Sequence, residues 1–160
     1  MCVPVKESPR GNGRKTLYTT TITNQRLRSL LEDIGLTPAK SKTLGPLDVP
    51  DRFFRDFFRG CVDGDGSVMT LKFDHRRYLG VLLVSGSERF MRWVRATIKR
   101  LVEVEGGLYR NQRDVWRLDY SYRKGREIAE WMYYKPDLPC LERKRSRYEE
   151  FLRLKGLAIA

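Results

Sequence analysis

Three cysteines, at positions 2, 61 and 140, and a single histidine are all that this 160-residue chain offers in soft metal ligands. No CxxC pair occurs and one cysteine is necessarily left over, which excludes a zinc or disulfide framework and fits a reducing intracellular compartment. His75 has no second His or Cys near it in sequence and lies between Asp74 and Arg76-Arg77, so it reads as a surface or phosphate-contacting residue. Long apolar runs are missing too. The longest, Val81-Leu82-Leu83-Val84, is strand-sized and cannot span a bilayer. The N-terminus lacks the apolar core of a signal peptide, and no lysine-rich amphipathic helix or lipidation signal suggests a membrane partner. Acidic residues are also short: 20 against 32 Lys and Arg, a formal charge of +12. So basic a balance points to a polyanion, most commonly nucleic acid.

What is present is enough for one good core and too little for two comfortable domains. The apolar share of 41% is that of a globular chain rather than a disordered one. Residues 1 to about 14 are polar and hold Pro4, Pro9, Gly11 and Gly13, reading as a mobile tail. A β-branched strand follows over Lys15–Thr23. Asn24 then caps a helix with Leu27, Leu30, Leu31 and Ile34 at helical spacing, ended by Gly35. The proline-bearing stretch 36–50 reads as a connector, which puts the domain boundary near Pro50: an appendage over 1–50, a main domain over 51–155 and a short tail over 156–160.

From Asp51 the pattern sharpens. Phe53, Phe54, Phe57 and Phe58 form a wide apolar helical stripe, and the helix runs into Asp63-Gly64-Asp65-Gly66. Strands are expected over Val68–Phe73 and Tyr78–Ser85, joined by Asp74-His75-Arg76-Arg77. Ser87 caps a helix running to about Glu105. A second hairpin pairs Leu108–Gln112 with Val115–Tyr122, Trp116, Leu118 and Tyr120 alternating with Arg117, Asp119 and Ser121. Helices over Arg123–Tyr133 and Leu141–Leu154 close the domain. This order predicts an α+β fold whose antiparallel sheet has helices on one face and a basic, polar face free.

Two carboxylates at a helix-to-strand junction, among glycines that let backbones approach, make a place to hold a hard cation. Asp63, Asp65 and Ser67 also imitate the first ligands of a calcium loop, with Asp74 in its twelfth position. Val68 stands where that loop needs glycine, and strands follow where it needs a helix. A simpler alternative is that the two aspartates end a helix in a surface turn.

Phe58-Arg59-Gly60-Cys61-Val62-Asp63-Gly64-Asp65-Gly66 resembles the signature helix of the LAGLIDADG homing endonucleases, and the element order after it is similar to that family's αββαββα core. The resemblance covers about residues 51–155. It implies a saddle-shaped sheet, a site-specific double-strand DNA endonuclease associated with an intron or intein, and use of Mg²⁺ or another divalent cation. It further implies Asp65 as the metal-binding catalytic carboxylate, assisted by the Gly64 carbonyl, and Lys144 as the basic residue beside the metal. Gly60, Cys61 and Asp63 fall where two signature helices pack, while Arg59 departs from the small residue of the signature. The water-organising polar residue expected after the second strand falls at Gly86-Ser87, where Gly86 lacks the group.

Contacts to duplex DNA are expected from the polar sheet face: Lys72, Arg76 and Arg77 in the first hairpin, and Arg110, Gln112, Arg113, Arg117 and Asp119 in the second. One signature helix in a reaction that cuts two strands points to a homodimer. Residues 16–42 can also be laid on the closing section of a repeat, with Lys40 or Lys42 in the place of Lys144. A non-cleaving binder of the same fold, a maturase-like RNA binder or a transcriptional regulator, is the alternative. Retention of both carboxylates favours the enzyme, because a pure binder gains nothing from carboxylates beside phosphates.

Overall fold

A computed structural model describes residues 5–8, 16–36 and 42–157, and the chain falls into two units, Met1–Asp33 and Ile34–Ala160. In the first, β1 (Val5–Ser8) pairs antiparallel with β2 (Leu17–Thr20), Val5 facing Thr20 and Ser8 facing Leu17. The expected tail therefore contributes a strand. Its polar composition hid this, because strand pairing is a backbone interaction that a long-range partner can supply. Helix α1 (Gln25–Asp33) starts as expected, with Asn24 Oδ1 accepting from the Leu27 amide at 3.0 Å. Leu27, Leu30 and Leu31 on α1 are exposed. Lys42 is exposed, whereas Lys40 lies outside the described residues.

The second unit begins at Ile34 and not near Pro50, because Leu36, Leu44, Leu47 and Val49 of the presumed connector pack against its core. Helix α2 (Asp51–Asp65) buries Phe54, Phe58 and Val62 completely, an i, i+4, i+8 line on one face. Phe53 stays 51% exposed, so the aromatic stripe is wider than the buried face. Strands β3 (Gly66–Phe73) and β4 (Arg76–Ser85) form a hairpin closed by only two residues, Asp74 and His75, both in the left-handed region (φ 48° and 58°). Those angles suit a tight turn between right-twisted strands.

Helix α3 (Glu88–Val102) is capped by Ser87, whose Oγ accepts from the Phe90 amide, and it ends where Glu103 turns left-handed. A short hairpin of β5 (Gly107–Arg110) and β6 (Trp116–Tyr120) follows, then α4 (Tyr122–Met132) and α5 (Glu142–Leu154). The four strands are antiparallel in the order β3-β4-β6-β5. The fold is α+β with helices on one face of the sheet, as expected.

Register decides which residues face the helices. Val68 pairs with Val81, Val81 with Tyr120, Leu83 with Leu118 and Leu118 with Leu108, and all but half-buried Leu108 are buried. Gly125 brings α4 onto this layer: a Cβ there would lie 2.1 Å from the Leu79 carbonyl oxygen, so only glycine permits the contact. The alternate positions face away from the helices, and they correct the expected polar face. Met69, Leu71, Phe73, Tyr78, Leu82, Val84 and Tyr109 share it with Arg76, Arg117 and Asp119. The first hairpin's alternation is apolar on both faces, which is why composition alone misjudged it.

Candidate metal and nucleic-acid site

A helix that hands directly into a strand must satisfy its last carbonyls from outside, since they have no intrahelical partner. At the end of α2 this task falls to Lys144. Its side chain is 2% exposed, and its ammonium donates to the carbonyls of Val62 at 2.5 Å, Asp63 at 2.8 Å and Gly66 at 2.7 Å. Three donors meet three acceptors, at the end of a helix whose dipole favours a cation. Burial first, and Arg143 second, lower the ammonium's pKa, while the carboxylates of Asp63 and Asp65 raise it. Gly66 makes the junction tight, since a Cβ there would meet the Leu82 carbonyl at 2.4 Å and the Val62 backbone at 2.7 Å.

The reciprocal contact comes from Asp63. Its Oδ2 accepts from the Leu141 amide at 3.0 Å, at the start of α5, where no Ser, Thr, Asp or Asn is available as a local cap. Asp63 Oδ1 is buried and, like buried Tyr133 Oη, has no hydrogen-bond partner among the described residues. Burial first, then the Asp63 charge, pushes the Tyr133 phenol well above its ordinary range.

Arg59 makes a third such contact. It is 5% exposed, donates to the carbonyls of Met132 and Pro139 at 3.1 Å each, and pairs with Asp56 at 2.8 Å. It turns inward and caps the end of α4, leaving the outer face of α2 to smaller groups. Two buried cations, Lys144 and Arg59, and the half-buried Asp63 carboxylate thus tie the ends of α2, α4 and α5 together.

Asp65 is the last residue of α2 and is exposed. It stands at an apolar cleft of about 430 Å³ lined by Phe57, Cys61, Leu83, Phe90 and the connector leucines 36, 44 and 47. Burial, and secondarily the Asp65 charge, pushes the Cys61 thiol up to about 12. Gly60 and Gly64 are exposed, with no other atom of the described residues within 4 Å of where a Cβ would sit, and exposed Phe53 and half-buried Phe57 share that side of the helix. Of the three residues expected between two helices, Gly60 lies on this open face, Cys61 turns to the cleft and Asp63 to α5.

Toward a hard cation, the chain supplies the Asp65 carboxylate and the backbone of Gly64, both exposed. The neighbouring carbonyls of Val62, Asp63 and Gly66 already accept from Lys144. No group of three His, Cys, Asp or Glu capable of holding a metal occurs among the described residues. One carboxylate with free solvent around it fits Mg²⁺, which keeps most of its waters and takes few protein ligands. Ser87 is 1% exposed, and its hydroxyl donates to the Leu44 carbonyl while accepting from Phe90, so it is engaged in structure; Gly86 lines the cleft.

The expected DNA-contacting residues separate into groups. Lys72, Arg76 and Arg77 are exposed at the tip of the β3–β4 hairpin and form no ion pair among the described residues. Arg117 and Asp119 lie on the face away from the helices, paired at 2.6 Å. Gln112 and Arg113 are exposed in the β5–β6 turn. Arg110 pairs with Trp116 in register and so takes the opposite phase from Arg117; it is exposed and bonded to Asp114 at 2.6 Å. The carbonyl-capping roles of Arg59 and Lys144 are absent from any sequence motif. The missing cap at Leu141 is the one local signal that something from elsewhere had to complete α5.

No family model matches the chain, and no curated protein matches it. Among solved structures it is similar to the homing endonuclease I-CvuI in complex with the I-CreI target in the presence of Mg, the DNA not cleaved. It is equally similar to I-CvuI bound to its own target in the presence of Ca. In both the identity is 12% over 66% of this chain and 68% of that chain, with a TM-score of 0.47. It is also similar to the homing endonuclease I-TnaI, at 18% identity over 62% of this chain and 69% of that one, TM-score 0.47.

Proposed function

We propose that this chain is one half of a metal-dependent, site-specific double-strand DNA endonuclease that works as a homodimer. The observation that carries the reading is Asp65: an exposed carboxylate at the end of a helix held in place by Lys144, Arg59 and Asp63, in a chain of charge +12. Asp65 and the Gly64 carbonyl would hold a divalent cation, which neutralises charge developing on a phosphodiester and acidifies a bound water. Lys144 is on this reading a positioning residue, since its three N–H donors are engaged by backbone carbonyls. It keeps the last turn of α2 wound and Asp65 in register.

The open side of α2, with Gly60 and Gly64, is where a second copy would pack, small residues letting two helices approach and bringing two carboxylates to opposite strands. The first unit, with its exposed α1 leucines, fits the closing part of a preceding repeat. Lys72, Arg76, Arg77, Gln112, Arg113 and Arg117 would hold the duplex, and Asp119 orients Arg117.

The reading is tested by incubating the protein with a randomised duplex library and Mg²⁺ and sequencing the new ends, alongside Asp65→Asn. Discrete double-strand ends from the parent, lost in the variant while DNA binding persists, support it. Binding by the parent with no cleavage on any library member refutes it in favour of a non-cleaving binder.

A further inference from the structure

A surface that only reads a DNA groove needs hydrogen-bonding groups, because a duplex presents base edges and keeps base faces stacked inside. The face of the sheet away from the helices offers rings instead. Phe73, at the edge of the β3–β4 hairpin, is 63% exposed, Tyr109 on the opposite edge strand is 62% exposed, and Tyr122 is 49% exposed. Tyr122 stands edge-on to Tyr78, with centroids 4.6 Å apart, and to Phe73 at 6.4 Å. On its other side Tyr122 lines a cleft of about 510 Å³ that reaches Tyr109, with Arg123 and Lys124 also in its wall. The rings thus form a track across the sheet from Phe73 through Tyr122 to Tyr109.

Cations flank this track at both ends. Arg76 stands opposite Phe73 on the same face, with Lys72 and Arg77 at the same hairpin tip in the other phase, and Arg123 and Lys124 stand beside Tyr122. The acidic residues that face it are Asp74 in the hairpin turn, Asp119, already bonded to Arg117 and Ser121, and Glu105, paired with Arg95 and Lys99. A protein segment docking on an apolar face has no need of that cationic border. Exposed rings spaced along a positively bordered sheet are the chemistry that binds unpaired bases, each ring taking a base face while the cations take phosphates.

We propose that the open sheet face binds single-stranded DNA by stacking unpaired bases on Phe73, Tyr122 and Tyr109. This goes beyond duplex cleavage and stands whether or not Asp65 supports it. The full chain is titrated into single-stranded DNA carrying 2-aminopurine, read by fluorescence quenching and by anisotropy. Arms of the same length use an abasic strand, the matched RNA and the duplex.

Phe73→Ala, at an exposed hairpin tip clear of the core, and Tyr122→Leu are each expected to weaken single-strand binding by roughly tenfold. Duplex binding should change less than twofold. 2-Aminopurine emission should fall on binding to the parent and much less with either variant. The proposal is overturned if the abasic strand binds as tightly as the based one, if both variants bind single strands like the parent, or if only RNA is bound. A self-associating parent that Phe73→Ala renders monomeric would likewise overturn it, by assigning the face to a second copy. Loss of duplex cleavage in Asp65→Asn with the stacking signal intact separates this test from the endonuclease test.

Discussion

Lys144→Met keeps most of the buried aliphatic stem and removes only the ammonium, leaving three carbonyls at the end of α2 without their donor. Val62 O is fully buried and receives the shortest bond, 2.5 Å; the bonds to Asp63 O and Gly66 O, at 2.8 and 2.7 Å, are partly buried and open to water. A buried acceptor stripped of its partner costs about 1–3 kcal/mol. Two carbonyls that recover water cost a fraction of that each, and relief from burying a charge offsets part of the total. The net loss comes to about 2 kcal/mol, which at a urea slope of about 1.5 kcal/mol per molar moves the unfolding midpoint down by roughly 1.3 M. Tryptophan fluorescence during urea unfolding reads this directly, with Trp93, Trp116 and Trp131 in the second unit. Lys144→Arg should not rescue, because a planar guanidinium cannot aim three N–H groups at three carbonyls gathered round one point. If Lys144→Met were within about 0.5 kcal/mol of the parent, the size of an ordinary surface change, the ammonium would not be holding the helix end. A direct role at the phosphate would then be the better account of it.

Three further outcomes follow from the same geometry. Asp63→Ala removes the carboxylate that accepts from Leu141 and should cost about 1 kcal/mol, the value of a lost helix cap, seen in the same urea experiment. Gly60→Ala would meet no atom within 4 Å among the described residues and should stabilise a monomer by about 0.5–1 kcal/mol, while Gly60→Trp should leave the fold intact and abolish dimer in sedimentation. At alkaline pH the buried thiol of Cys61, raised from 9.0 to about 12, contributes stability that is complete below pH 9 and disappears as pH climbs toward 12. Tyr148, raised chiefly by burial to about 12, extends the loss from pH 10. Stability should therefore fall by about 1.4 kcal/mol per pH unit between pH 9 and 10 and at least about twice as steeply above pH 10, and Cys61→Ala should flatten the first part of that fall.

The main domain was readable because its signals are local. Phe54, Phe58 and Val62 repeat at helical spacing, Ser87 is a cap residue in place, as Asn24 is in the first unit, and Trp116, Leu118 and Tyr120 alternate cleanly. Asp65 was visible because an acidic pair among glycines at a helix-to-strand junction is itself a chemical pattern. What escaped depends on partners far away in sequence. Val5–Ser8 gained its strand from β2, the connector leucines gained burial from a core assembled later in the chain, and the β3–β4 hairpin has no polar phase from which its open face could be told. The resemblance marked Lys144 as a basic residue beside the metal and Arg59 as a departure from the signature, and only the meeting of three helix ends shows that their charges are buried against carbonyls.

The most direct test asks whether a divalent metal binds at the end of α2 through Asp65. Iron(II) loaded in place of Mg²⁺, with ascorbate and peroxide, cuts polypeptide next to where the ion sits, and mass spectrometry of the fragments locates the cut. Scission should be confined to residues 63–66 in the parent, competed by Mg²⁺ and absent from Asp65→Asn. Scission elsewhere, or an unchanged pattern in Asp65→Asn, would contradict it.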